Sequence, residues 1–377
     1  MRLLLRAGLT LLLATAACKE SIAPKSLANP QQTTAQMAAL DTMFNIAVLN
    51  SFSALSGEIA PVAPARVATL RALAAASNPL AKSSALRPYA QGLETARMLR
   101  QLVPTLTGAS TQDIFPPAVD GKTFEWNATS DVYEQTVRTG APATGVRFIL
   151  YAVDPLTSMP VEPVVEVGWV DLADESTASV AKLHVTVVGS GGAPTYVNYT
   201  VSLESLSASS ARLGATGYIT NGASSPDTLR FTGIVIASGS ATSISVTQDV
   251  SFDVNSRDAH VRLWERVTLT QTTGNVRIFF AFKHGSELVT LEGNFDLDSV
   301  GETVTGTITV KVDGGAFATC TVTAGAGSYV LTCEGKDADG LNADEQEALQ
   351  GIGDALANIE QVFAGILSPA ENVLAGQ

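Results

Sequence analysis

The residues of this chain that could do chemistry are few, and their spacing matches no familiar catalytic or metal-binding motif. The three histidines, His184, His260 and His284, have no second histidine, cysteine or suitable acid at metal-ligand spacing. Two of them fall within strand patterns and the third falls at a turn, so we expect packed or solvent-facing side chains. The sequence therefore assigns no catalytic residue, no metal ligand and no cofactor, and it favours a protein that is not an enzyme.

One acidic stretch resembles part of a calcium-binding loop. Asp337 and Asp339 lie before Gly340 as the third and fifth positions of an EF-hand loop lie before its invariant glycine. That loop also needs an acid at its first position and a bidentate glutamate at its twelfth, where this chain has Gly335 and Gln346. Asp337 and Asp339 are therefore only a weak calcium candidate, and acids before a helix are explained equally well by the helix dipole.

Two of the three cysteines have the spacing of a cross-strand pair. If Ala326 and Gly327 form a two-residue hairpin loop, Cys320 lies directly opposite Cys333. Counting outward from the turn places this pair at a non-hydrogen-bonded position, where the backbones approach to about 4.5 Å and a disulfide can close. We expect a disulfide there, which would stabilise the protein by roughly 2–3 kcal/mol.

The N-terminal segment has the layout of a secretory signal. Arg2 and Arg6 provide a positive start, residues 9–13 are apolar, and the small residues 16–17 precede Cys18. Such a segment is too short to span a bilayer as a stable helix, so we expect export followed by cleavage.

This segment resembles the signal of bacterial lipoproteins, in which a lipobox precedes a cysteine that is lipidated and becomes the mature N-terminus. The resemblance covers residues 1–18, and Thr15 stands where the family usually has Leu. It implies that Cys18 carries the lipid and attaches the protein to a membrane. Lys19, in place of Asp, resembles the signal for the outer membrane or cell surface rather than for inner-membrane retention. An ordinary secreted protein is the alternative.

The amino-acid composition and net charge of the chain argue against some classes of binding partner. The chain has 377 residues, of which 46% are hydrophobic and only 16% charged, so a large core is expected. The formal net charge of −13 repels phosphate and argues against a nucleic-acid partner. No stretch after the signal is apolar enough to span a membrane, which leaves the lipid as the expected membrane attachment.

The hydrophobic period changes along the chain and divides it into regions. The period is helical before a proline-containing linker, alternates between apolar and polar residues after it, and becomes helical again near the end. We predict the following regions: a flexible tether at 19–32, a helical region at 33–107, a linker at 108–121, an antiparallel β domain at 122–335 and an amphipathic helix packed on that domain at 341–368.

The alternating region predicts about fourteen strands joined by tight turns. Residues 243–254 show the pattern most clearly, because every second side chain is apolar over most of that run. Short connections between such runs require antiparallel pairing. The predicted fold is mainly β with flanking helices, an α+β class: a large antiparallel meander, curled or barrel-like, covered by helices from both ends of the chain.

Two functions fit these features. One is a lipid-anchored cell-envelope protein that binds an apolar or amphiphilic ligand between the sheet and its helices. The other is a structural envelope lipoprotein with a fully packed core that contacts protein or polysaccharide. Side-chain volume separates the two hypotheses, because small inward-facing residues leave room for a ligand, whereas Val246, Phe252, Phe280 and Phe282 tend to fill it.

Overall fold

The computed structural model shows a mainly β protein. It describes residues 27–28, 31, 46–55, 114–154, 156–207, 209–240, 242–255, 258–298, 301, 303–325, 328–335, 343–344, 347 and 370.

The described elements are one short helix and fifteen strands. They are α1 (Ala47–Ala54), β1 (Lys122–Asn127), β2 (Val132–Thr136), β3 (Gly145–Tyr151), β4 (Glu166–Asp174), β5 (Val180–Gly189), β6 (Thr195–Ser207), β7 (Ser210–Thr220), β8 (Thr228–Gly239), β9 (Ile244–Val254), β10 (Ala259–Leu269), β11 (Thr273–His284), β12 (Glu287–Asp298), β13 (Thr303–Val312), β14 (Gly315–Gly325) and β15 (Ser328–Gly335).

All fifteen strands belong to one sheet, and from β3 to β15 each strand pairs with the next in antiparallel fashion. The predicted meander is therefore confirmed over this range. The first edge differs from the prediction, because β1 pairs with β3 in parallel and β2 lies outside β1. The sheet is thus mixed at that edge. Among the described strands β2 and β15 end the order, so the sheet is open rather than closed.

The tight turns follow from local backbone preferences. Val312 pairs with Gly315, which leaves Asp313 and Gly314 as a two-residue loop between β13 and β14. Both loop residues have positive φ, 46° and 80°, as the type I′ turn of a twisted hairpin requires. Asp and Gly tolerate that conformation better than most residues, so the turn fixes the register next to it, which shifts once further along, between Val310 and Lys311.

Helix α1 identifies the inner face of the sheet. It contacts β3, β4 and β5, and it buries Val48, Leu49 and Phe52 against them. Phe52 belongs to the same buried cluster as Phe148 of β3 and Leu172 of β4. We call the sheet face that carries this cluster the inner face and the opposite, largely polar face the outer face.

The described residues near both chain ends also contact the core. Leu27 is buried, and the Ala28 N–H donates to the Glu287 carboxylate at 2.7 Å, at the start of β12. Ala370 is fully buried in the main core cluster. Of the predicted flanking helices, α1 falls within the helical region at 33–107. Most of that region and of the predicted helix at 341–368 lie outside the described residues.

Candidate functional site

Strand pairing lines up inner-face residues in rows that cross the sheet. One row runs through the middle of the long strands, from Val235 on β8 to Gln248, Glu265, Ile278 and Gly293 on the next four strands. Residues directly opposite each other in antiparallel strands point to the same face. The row therefore places a glutamine and a glutamate side by side in the centre of an otherwise apolar face.

Burial along β9 shows that the two ends of its inner face are covered more completely than the middle. Val246 and Phe252, toward the two ends of the strand, are each 7% exposed. Gln248 and Val250, which lie between them on the same face, are only half-buried. Water therefore reaches the middle of this strand from the inside.

Strand β10 repeats this profile. Val261 and Leu269 are buried near its ends, whereas Leu263, Glu265 and Val267 in its middle are half-buried. Half-buried inner-face residues also occur in the middle of β7, β8, β11, β12 and β13. We call this region the central recess, and its residues are Leu213, Ala215, Gly233, Gln248, Val250, Leu263, Glu265, Val267, Ile278, Leu291 and Ile308.

Small residues contribute to the recess at one side. Ala215 on β7 lies directly opposite Gly233 on β8. A Cβ added to Gly233 would meet its nearest neighbour, Val250, at 3.8 Å, which is ordinary van der Waals contact, so room remains there. Gly293 differs, because a Cβ there would approach Ile278 to 2.5 Å and its space is already filled.

Among the described residues, Glu265 is the one acidic or basic side chain in the middle rows of the inner face. Desolvation by the surrounding protein raises the pKa of its carboxyl to about 7, even though the side chain keeps some accessible surface. The two facts are compatible, because a group can be surrounded by protein atoms and still border a small opening. Among the described residues no hydrogen-bond donor or cation contacts this carboxyl.

Within the described residues, carboxylates near the strand ends, unlike that of Glu265, accept hydrogen bonds from the backbone. Asp174, at the end of β4, accepts the Ile114 N–H at 2.6 Å, and Glu287 accepts the Ala28 N–H at 2.7 Å. Each of these carboxylates thus stabilises a segment that docks on the sheet. Glu265 has no such contact among the described residues, so its position on the inner face is not explained by the docking of a segment.

The cysteine register agrees with the prediction. Gly325 pairs with Ser328, and the same register places Cys320 directly opposite Cys333 on β14 and β15. Cys320 is buried on the inner face, in the row that continues from Gly293 through Ile308. The other predicted site residues, Cys18 for lipidation and the calcium candidates Asp337 and Asp339, lie outside the described residues.

Cross-strand contacts give two histidines acidic neighbours that their sequence spacing did not reveal. His184 Nδ1 lies 2.9 Å from a side-chain oxygen of Glu175, and its Nε2 lies 3.1 Å from the side-chain amide oxygen Oδ1 of Asn198.

His260 pairs with Asp253 across β9 and β10, and Asp258 lies 3.5 Å from its Nε2. His284 stacks on Phe282. No cluster of three or more metal-ligating side chains occurs in the described part of the chain.

Comparison with known proteins finds no matching family model, no similar curated protein and no similar solved structure. Within the described residues, no helix is long and apolar enough to cross a membrane.

Proposed function

We propose that this protein is a lipid-anchored envelope protein that binds an apolar or amphiphilic small molecule in the central recess and catalyses no reaction. The observation that carries the proposal is the burial profile of the inner face across β7–β13. Covered ends and an accessible, mostly apolar middle are the features of a small-molecule site.

Side-chain volume supports this function over a fully packed interior. The bulky residues Phe252 and Phe282 are buried toward one end of the strands, where they fill the space. Phe280 is buried in the same row as Gly233, three strands further along, so the space left by small side chains lies on the β7–β8 side. Ala215 and Gly233 face each other in the middle, where less volume is supplied. The position of the small residues thus coincides with the accessible surface.

Attachment through Cys18 is the second part of the proposal and is supported by the lipoprotein-like signal. Replacement of Cys18 by Ser is expected to release the protein from membranes into the soluble fraction. Continued membrane retention of the Cys18→Ser variant would contradict this part alone and would leave the recess unaffected.

Native mass spectrometry tests the ligand directly. The full mature chain carrying Cys18→Ser is purified without detergent and its mass compared with the calculated mass. A reproducible adduct of one small molecule per chain is expected. A Gly233→Leu variant should lose the adduct, whereas Thr232→Leu, the adjacent outer-face change on the same strand, should keep it. A clean mass in the parent protein, from several preparations, would contradict the proposal.

An exposed loop favours protein contact as a second function. The connection between β3 and β4 presents several apolar side chains to water, among them Leu156 at 95% and Val165 at 56% exposure. It is nonetheless ordered by backbone hydrogen bonds, including Ala152 N–H to Val165 O at 2.9 Å. Ordered apolar surface of this kind is typical of interaction sites. Loss of a bound protein on Leu156→Ser, with the recess ligand retained, would separate the two functions.

We also propose that Cys320 and Cys333 form a disulfide in the exported protein. The proposal is supported by their direct cross-strand register and by the oxidising compartment that the signal implies.

A further inference from the structure

We propose that the ligand of the central recess is an amphiphile with a positively charged amine head group, which pairs with Glu265. This inference rests on the proposed function, because it names the chemical class of ligand for the same recess. It is carried by the position of Glu265 rather than by the general apolar character of the face.

The surroundings of Glu265 leave its carboxyl without a described partner. Its direct neighbours on the inner face are Gln248 on β9 and Ile278 on β11. Leu263 and Val267 lie on either side along β10. Among the described residues of β9, β10 and β11, no other titratable or charged side chain faces it from the middle rows.

A carboxyl in such a position is costly unless something pairs with it. Desolvation of an unpaired acid disfavours its charged form, and this raises the pKa of Glu265. Replacement of the acid by Leu or Val would remove the cost and continue the apolar inner face that Leu263 and Val267 form along β10. A cation that binds next to the carboxylate offsets the cost, because an opposite charge within a few ångströms stabilises the ionised form.

Charge selects an amine over the other common head groups. The whole chain has a formal net charge of −13, which repels an amphiphile with a carboxylate or phosphate head. A neutral hydroxyl head could hydrogen-bond to Glu265 but would not compensate its charge. An ammonium group does both, and its alkyl chain would lie along the apolar neighbours Leu263, Val267 and Ile278.

The accessible surface of Glu265 fits this role. A purely structural buried acid would be expected to lose its accessible surface to packing, whereas Glu265 is only half-buried. Part of the residue therefore borders the recess, next to which a small head group would bind.

The test compares three amphiphiles of equal chain length: dodecylamine, 1-dodecanol and dodecanoate, each below its micellar concentration. Binding to the full mature chain with Cys18→Ser is measured by titration calorimetry at pH 8. We expect dodecylamine to bind at least about 10-fold more tightly than dodecanol, which corresponds to one ion pair in a partly desolvated site. Dodecanoate is expected to bind most weakly.

Two substitutions test whether the preference for the amine comes from Glu265. Glu265→Gln should reduce the preference for the amine to less than about 2-fold while dodecanol binding is kept. Glu292→Gln, the same change on the outer face of β12, should leave the preference intact. At pH 5, where Glu265 is protonated, the parent protein should behave as Glu265→Gln does.

The outcomes separate this inference from the proposed function. Equal binding of amine and alcohol, unchanged by Glu265→Gln, would overturn the amine assignment and leave an apolar ligand site in place. An amine preference that Glu292→Gln also abolishes would likewise overturn it, because the charge would then act from the surface. No binding of any of the three amphiphiles would overturn the recess as a ligand site together with the inference.

Discussion

The two parts of the inner face are built from the same kind of strand and differ in how completely they are covered. On β3–β6 the inner-face side chains in the middle of the strands, such as Phe148, Leu172 and Val197, are fully buried, and α1 packs on three of these strands. Leu203, toward the end of β6, is half-buried. On β7–β13 each strand has at least one half-buried inner-face residue in its middle, although Val235, Phe280 and Gly293 in this region are buried. The first part is a core that stabilises the sheet, and the second is the part that we propose binds a ligand.

The two parts of the inner face differ in the side-chain volume that their strands supply. Large residues on β3–β5 meet the apolar face of a helix, so the side chains there are fully buried. On β7 and β8 the facing residues Ala215 and Gly233 supply little volume. A long sheet can therefore combine a stabilising core and a recess along the same face, with the side chains of each strand deciding which one forms.

The largest expected effect comes from truncating one leucine in each part. Leu172→Ala on β4 removes a fully buried side chain and should lower the free energy of unfolding by about 3–4 kcal/mol. Leu263→Ala on β10 removes a half-buried side chain from a region that already has room, so about 1–2 kcal/mol is expected. Urea titrations of both variants measure the difference. Equal losses would mean that β10 is as tightly packed as β4.

Glu265→Gln should be the next largest change, and its sign depends on pH. The folded pKa of about 7 exceeds the value of 4.5 for an unperturbed glutamate, so the folded protein holds the proton more tightly than the unfolded chain. The tighter binding of this proton therefore stabilises the folded protein fully below about pH 4.5, and the stabilisation is lost as the pH rises through 7. At pH 8 the loss amounts to about 3 kcal/mol.

The variant lacks this ionisation. Glu265→Gln should thus stabilise the protein by up to about 3 kcal/mol at pH 8 and have little effect at pH 4. Thermal or urea unfolding at the two pH values, with Glu292→Gln as the outer-face control, checks it. A gain of the same size at both pH values would show that the effect is not ionisation of Glu265.

Loss of the proposed disulfide should cost roughly 2–3 kcal/mol, because it closes only a short hairpin. Reductant should lower the urea midpoint of the parent protein by the corresponding amount. A Cys320→Ala/Cys333→Ala variant should be insensitive to reductant. Labelling of both cysteines in the denatured, unreduced protein by a thiol reagent would contradict the disulfide.

The smallest effect is expected at the exposed loop between β3 and β4. Leu156 is 95% exposed, so Leu156→Ser should change the free energy of unfolding by less than about 0.5 kcal/mol. A loss above about 1 kcal/mol in the same urea assay would show that the loop is part of the core rather than a contact surface.

Much of the sheet could be predicted from the sequence, because alternation and turn chemistry are local. The strand at residues 243–254 and the opposition of Cys320 to Cys333 both follow from counting along the chain. The parallel pairing of β1 with β3 could not be found this way, because it depends on a contact between strands that are not consecutive. The cross-strand contact of His260 with Asp253 was also not predicted, because it depends on the register across the four-residue turn between β9 and β10.

Only part of the central recess could be predicted from the sequence. Glu265 has the same parity as Leu263 and Val267, so alternation alone places an acid on the apolar face of β10. That signal was present in the sequence and is the one that could have identified the site. The accessible surface around it could not be predicted, because it depends on how side chains from seven strands and the covering segments fill a shared volume.

The central claim is that the middle of β7–β13 holds a single apolar molecule. The most direct measurement is a fluorescence titration of the mature chain with N-phenyl-1-naphthylamine, a neutral apolar probe whose emission rises in dry surroundings. We predict saturation at one probe per chain, loss of that binding in Gly233→Leu, and unchanged binding in Thr232→Leu. Absence of saturable binding to the parent protein, or equal binding by Gly233→Leu, would contradict the account.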